Sequence, residues 1–206
     1  MIYEPRVVIP PALEPVTVAE LKIHLRIDTD LEDAKLYAFE KAARDAVEWL
    51  TGRTIMQTTW DWTMDFFPYF YPYTYGGRIR LPRGAPLIGV DFVKYTDSDG
   101  LQTTWPSTNY LANEHGEIVP IFGQTYPSYI PAPLASVLIR YTSGASNSSP
   151  AQFPSESIKH VIALIVGAMY ERREAEGIAD RASASALASK YGADLFLARA
   201  QRQYEF

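Results

Sequence analysis

The sequence predicts an α+β fold: a helical bundle made from N- and C-terminal helices, with an inserted antiparallel β region between them. Three observations carry this. Helical periodicity fills residues 15–53 and returns at 155–175, whereas alternating apolar and polar residues occupy 57–144. Most of the prolines and glycines fall between Pro68 and Pro154, where short strands need tight turns. The expected organisation is a single domain over 1–206. It comprises N-terminal helices (15–53), a β insertion (57–144) with an aromatic loop at 67–77, a C-terminal core helix (155–175) and a tail (177–206).

The first helix is written in "PVTVAELKIHL". Thr17 and Glu20 have the T-x-x-E spacing of a capping box, with Val16 and Leu21 at hydrophobic-staple positions, so a helix is expected from Val18 to about Leu25. A longer helix follows. Asp28 and Asp30 are candidate N-caps, Glu32 and Asp33 suit the positive end of its dipole, and Gly52 supplies the stop. Its expected apolar positions are Leu31, Ala34, Ala38, Ala42 and Leu50, with Phe39, Ala46 and Val47 beside them.

Strand character begins at "TTWDWTMDF". Trp60, Trp62, Met64 and Phe66 alternate with Asp61, Thr63 and Asp65, so the rings should face the core and the two aspartates a solvated face. "GRIRLP", "IGVDFVKYTDSDGLQTTW" and "ASVLIRYTSG" continue the series, and Asp99-Gly100 marks a hairpin. In the last helix Ile158, Val161, Ile162, Ile165 and Met169 form a wide stripe that Leu164 and Val166 extend, so burial on more than one side is expected. The Ala- and Ser-rich remainder is weakly helical by pattern and is expected to order on a partner.

Composition narrows the function. The 206 residues carry 24 acidic and 19 basic side chains, a formal net charge of −5, and no cysteine. A tight DNA binder works through a basic surface that releases counterions; Arg78, Arg80 and Arg83 are the nearest approach to one and are expected on a solvated strand face. Without cysteine there is no disulfide framework, thiolate zinc site or thiol nucleophile. The N-terminal residues have no signal-peptide pattern, and the longest apolar run, Val161 to Tyr170, is too short to cross a bilayer. His24, His115 and His160 lie far apart in sequence, with no G-x-S-x-G elbow, Walker loop or G-x-G-x-x-G around them. "DTDLED" at 28–33 starts like a calcium loop but has Asp33 where glycine is needed and Phe39 where glutamate is needed. No catalytic residue, cofactor or metal is therefore expected, and the chain is not expected to be an enzyme.

The feature left over is "DFFPYFYPYTYGG". Phe67, Tyr69, Phe70, Tyr71, Tyr73 and Tyr75 crowd a segment broken by Pro68 and Pro72 and ended by Gly76-Gly77. Proline removes ladder donors, so this is a loop between strands. Either its rings fold back as a lid on the chain's own core, or they project as an interface. The interface is preferred, together with Leu195, Phe196, Leu197, Tyr204 and Phe206 of the tail, apolar side chains that are costly to leave in water.

From Pro15 to about Ala175 the chain resembles the head–tail connector (adaptor) proteins of tailed bacteriophages and related gene-transfer particles. The resemblance rests on "PVTVAELKIHLR", the acidic turn after it, the Ala-rich helix ending Thr51-Gly52-Arg53, and the Trp60–Trp62 strand. It continues through Ile79 to Pro82, Val93 to Gly100, Val137 to Gly144 and the helix ending Tyr170 to Glu174. The aromatic loop and the tail depart from it. The resemblance implies a structural protein at the head–tail junction of a virion or phage-like particle, made in the bacterial cytoplasm. It would form a homo-oligomeric ring, usually of twelve subunits, under the portal protein, and dock a tail-side connector or stopper protein. DNA would pass through the channel without specific binding, and no membrane would be involved. A net acidic wall suits that role. The alternative is a β-rich module that binds ligands of the glycan type on the aromatic loop; it leaves both sets of helices unexplained.

Overall fold

Thr17 starts the first helix as a capping box should. Its hydroxyl accepts from Glu20 N (3.2 Å), and Glu20 Oε2 accepts from Thr17 N (2.7 Å). Helix α1 runs Val18–Leu25 and ends at Arg26 in the left-handed region. In this computed structural model, which describes residues 3–67, 77–127, 135–146 and 154–171, α1 belongs to the second of two compact units. That unit comprises Ala12–Met56 and the chain from Asn147 onward; the other comprises Met1–Pro11 and Gln57–Ser146.

The helical unit adds α2 (Asp33–Thr51) and α3 (Glu156–Glu171). One core cluster draws on all three helices: Leu21 from α1, Leu36, Ala43 and Val47 from α2, and Val161, Ile162, Ile165, Val166 and Met169 from α3. Val16, Ile55 and Met56 close it from the flanking chain. The broad burial of α3 follows its expected stripe. The face of α2 does so only in part: Val47 is in that core and Phe39 and Leu50 pack against it. Leu31 is 92% exposed and Ala34, Ala38 and Ala42 face solvent, while Glu40, Arg44 and Glu48 are buried beside Leu36, Ala43 and Val47. The cause is hydrogen bonding: Glu40 Oε1 accepts Val16 N (3.1 Å) and Glu48 Oε1 accepts Ile55 N (2.8 Å), so these carboxylates satisfy chain amides inside the core. Nor do Asp28 and Asp30 cap α2. Its N-cap is Glu32, without a side-chain cap bond, and Asp30 instead binds Lys22. Gly52 does end the helix, at φ 65°, where a side chain would be strained.

The β unit holds a five-stranded antiparallel sheet in the order β1-β2-β8-β4-β5, and a three-stranded sheet in the order β3-β7-β6. The strands are β1 Arg6–Ile9, β2 Thr58–Met64, β3 Ile79–Arg80, β4 Leu87–Thr96, β5 Gln102–Trp105, β6 Tyr110–Ala112, β7 Glu117–Pro120 and β8 Val137–Ser143. Strands β4 and β5 form the expected hairpin; the Asp97 carboxylate accepts from Asp99 N, Leu101 N and Thr103 Oγ1 to shape its turn. Trp60, Trp62 and Met64 face a core shared with Val93, Trp105, Ile118, Ile139 and Tyr141. The small sheet is locked to the chain before β4 through two glycines. Gly116, at φ +77°, lies against Gly84, and a Cβ on it would stand 2.8 Å from the Gly84 carbonyl carbon. That closeness lets Leu81 N reach Gly116 O (2.8 Å).

Asp61 corrects the expected solvated face of β2. Long side chains from β1 and β8, Arg6 and Arg140, lie over it on this face. Arg140 opposite it in β8 donates through Nε to Oδ1 (2.7 Å) and through Nη2 to Oδ2 (2.8 Å), and Arg6 approaches at 3.5 Å. Arg140 is the main cause holding the Asp61 carboxyl below its usual range. Asp61→Asn should destabilise the protein by about 1–3 kcal/mol at neutral pH, as for a charge-assisted bond lost from a buried site. A depressed carboxyl stabilises above its unfolded pKa and loses that effect as pH falls. The difference between wild type and variant in denaturant titrations should therefore shrink below about pH 4.

Candidate interaction surface

The aromatic loop is rooted at both ends in one cluster of rings. Alternation along β2 stops at Met64, where the chain bends at Asp65 and Phe66. The Asp65 carboxylate fixes that bend by accepting from Tyr3 Oη (3.1 Å) and Ala135 N (2.8 Å). The bend reverses the expected roles of the two phenylalanines: Phe66 is 47% exposed, whereas Phe67 is 3% exposed and in the core. Phe67 stacks on Tyr126 at 5.2 Å and meets Trp105 (5.9 Å) and Tyr95 (6.1 Å) edge-on. Trp105 also touches Tyr110 and Tyr126. Such contacts add about 0.5–1.5 kcal/mol per pair beyond burial.

Gly77, where the described chain resumes, offers its carbonyl to the Tyr126 hydroxyl. Burial of that phenol pushes its pKa up to about 12, so it stays a donor. Phe67 is thus an anchor of the loop inside the chain's own core and not part of an exposed interface. Tyr69, Phe70, Tyr71, Tyr73 and Tyr75 lie outside the described residues, as do Leu195, Phe196, Leu197, Tyr204 and Phe206.

Elsewhere the described surface carries apolar side chains that sequence patterning missed. Phe122 is fully exposed on a turn closed by Gln124 N to Ile121 O (2.9 Å), with Gly123 at φ +82°. Leu111, 61% exposed, lies on the same small sheet. In the helical unit Ile23, Leu31 and Trp49 are exposed. The signal available for Phe122 was a lone ring next to a glycine outside any periodic run, the pattern of a turn tip.

The charged candidates are spoken for. Arg78 and Arg80 both pair with Glu117, and Arg83 lies over the Trp60 ring. Lys22 takes both Asp30 and Asp33. His24 and His160, distant in sequence, meet edge-to-face at 6.3 Å. Among the described residues no group of three or more histidine, aspartate or glutamate side chains is placed to hold a metal, and no helix is long and apolar enough to cross a membrane.

Residues 15–85, about a third of the chain, match the family described as "Phage gp6-like head-tail connector protein". Among solved structures, a chain from the neck of an empty gene transfer agent (GTA) particle, computed with C6 symmetry, is similar at TM-score 0.66 and 22% identity, covering 85% of this chain and 87% of that one. A chain from the virion of a native GTA particle gives TM-score 0.64 at 22% identity (91% and 94%). One from the neck of a native GTA particle, computed with C12 symmetry, gives 0.64 at 20% (93% and 94%). At these identities the likeness is one of fold. No curated protein matches. The matched family and structures are particle components, not enzymes.

Phe67→Ala should cost about 3–5 kcal/mol, the usual range for removing a buried ring, whereas Phe122→Ser should stay within about 0.5 kcal/mol of wild type. Thermal or urea unfolding of the two single variants checks both values.

Proposed function

We propose that this protein is a structural head–tail adaptor. Copies form a ring, with twelve subunits the expected number, beneath the portal protein at the genome-exit vertex of a phage-like or gene-transfer particle. The ring extends the DNA channel and gives a tail-side connector or stopper protein its docking surface. The observation that carries this is the connector-domain match at residues 15–85 combined with likeness of fold over most of the chain to components of GTA particles, one of them from a neck computed with C12 symmetry.

Chemistry of the chain supports it. A net charge of −5, with Arg78 and Arg80 already paired, suits a wall past which DNA slides. In this reading α1, α2 and α3 act as the bundle of a single adaptor domain, and residues 68–76 and the tail from 177 supply contacts to the neighbouring subunit or the portal. The loop's rooted ends favour that role: ordering entropy lost in advance is not lost again on binding.

On this reading, replacing Tyr69, Phe70, Tyr71 and Tyr73 together with serine should leave unfolding cooperative and within about 1 kcal/mol of wild type, because rings that serve a partner surface leave the subunit's own core intact. The same variant should lose concentration-dependent self-association in native mass spectrometry and incorporation into particles. Loss of cooperative unfolding in the isolated subunit would instead establish the rings as an intrachain lid. A wild-type chain that stays monomeric at all concentrations and binds no portal would sink the adaptor reading.

A further inference from the structure

Four charged side chains meet inside the helical unit, and their geometry is not that of simple ion pairing. Arg44 donates through Nε to Glu14 Oε2 (2.7 Å) and through Nη1 to Glu48 Oε2 (3.3 Å). Glu14, Arg44 and Glu48 side chains are 8%, 10% and 1% exposed. Glu40, one turn before Arg44 on α2, is 1% exposed, and no cation lies within salt-bridge distance of it among the described residues. Among the described residues its side chain accepts one hydrogen bond, from Val16 N.

The charged groups acting on Glu40 are Glu14, from the segment before α1, and Lys41 and Arg44 on its own helix; Asp45 contacts Arg44 at 3.8 Å. The buried side chains of α3 are all apolar. A carboxylate buried with another carboxylate nearby and no contacting cation favours its neutral form. Burial first, and Glu14 second among the raising causes, push Glu40 up to about 7, against the pull of the Val16 amide, Arg44 and Lys41.

Location gives this a mechanical meaning. The chain passes from the β unit to the helical unit at Pro11–Ala12 and back at Met56–Gln57. Val16 and Ile55, the two amides held by Glu40 and Glu48, stand just inside those crossings. We propose that Glu40 is a proton switch on the entry connection: neutral, it holds the 14–16 segment against α2, and ionised, it sets a second buried negative charge beside Glu14 and loosens that segment. This inference does not depend on the adaptor function.

The test compares full-length wild type with Glu40→Gln, which keeps the acceptor for Val16 N and cannot ionise. A group whose folded pKa is raised stabilises fully below its unfolded value, 4.5, and loses that effect as pH climbs to the folded one. The folding constant of the variant should therefore gain on wild type by up to about tenfold per pH unit between those values and be level outside them. Between pH 6 and pH 8, wild-type hydrogen exchange at Val16 should accelerate more than in the variant, whose change reports intrinsic exchange alone. The folded wild type should also show at pH 6 a protonated-carboxyl infrared band that disappears by pH 8, a readout that survives even if the variant does not fold. A stability difference independent of pH, equal acceleration at Val16, or absence of that band would each overturn the switch.

Discussion

Arg44 ties together the segments beside two of the three places where the chain crosses the boundary of the helical unit. The unit is discontinuous: one piece arrives from β1, runs through α1 and α2 and departs for β2, and the other arrives after β8 to form α3. A discontinuous unit cannot rely on local sequence to set its ends. Here α2 does so with charge. Glu14 is drawn in by Arg44, Glu48 is oriented by it, and Glu48 then grips Ile55 N. Removing one partner would leave a buried charge uncompensated, which is why such clusters are costly to break even where an apolar replacement of the whole would be neutral.

The β unit meets the same problem differently. Its first strand comes from residues 6–9 and the rest from 57 onward. Pairing of β1 with β2, seconded by Trp62 Nε1 donating to Tyr3 O (2.8 Å) and Tyr3 N donating to Thr63 O, joins them. This puts β2 inside the sheet, where its residues are nearly all buried. Asp61 then needs a partner at its own level, and the antiparallel register supplies Arg140 directly opposite. The pair is a consequence of register across β2 and β8, and Arg6 of β1 adds a second cation on the other side.

That topology also sets what could be read from sequence. The capping box, the Gly52 stop, the α3 stripe and the Asp97–Gly100 hairpin are local, and each was legible because neighbouring residues carry the whole signal. Strand β1, four residues between Pro5 and Pro10, is too short to show a period; β6 and β7 are equally brief. Part of the α2 face was misjudged because hydropathy counts Ala34, Ala38 and Ala42 as inward and Glu40 and Glu48 as outward, whereas amides distant in sequence reverse the preference. Asp61 was misjudged for the same kind of reason. Of the candidate site, Pro68, Pro72 and Gly76-Gly77 are the sequence's signals for the loop, and residues 68–76 lie outside the described residues. The exchange of roles between Phe66 and Phe67 was not legible, since it depends on a bend fixed by Tyr3 and Ala135, 62 and 70 positions away.

The rooted loop has a consequence for how such a surface can work. Apolar side chains offered to a partner must avoid collapse onto the subunit's own core, which would bury the same area without a partner. In this chain the core at Phe67 is closely packed: Phe67, Trp105, Tyr110 and Tyr126 lie together, and the Tyr126 hydroxyl occupies the Gly77 carbonyl. A ring arriving from residues 68–76 would have to displace one of these at a cost of a few kcal/mol. Phe67 is therefore both the anchor where the loop begins and an occupant of the core that any further ring would have to displace.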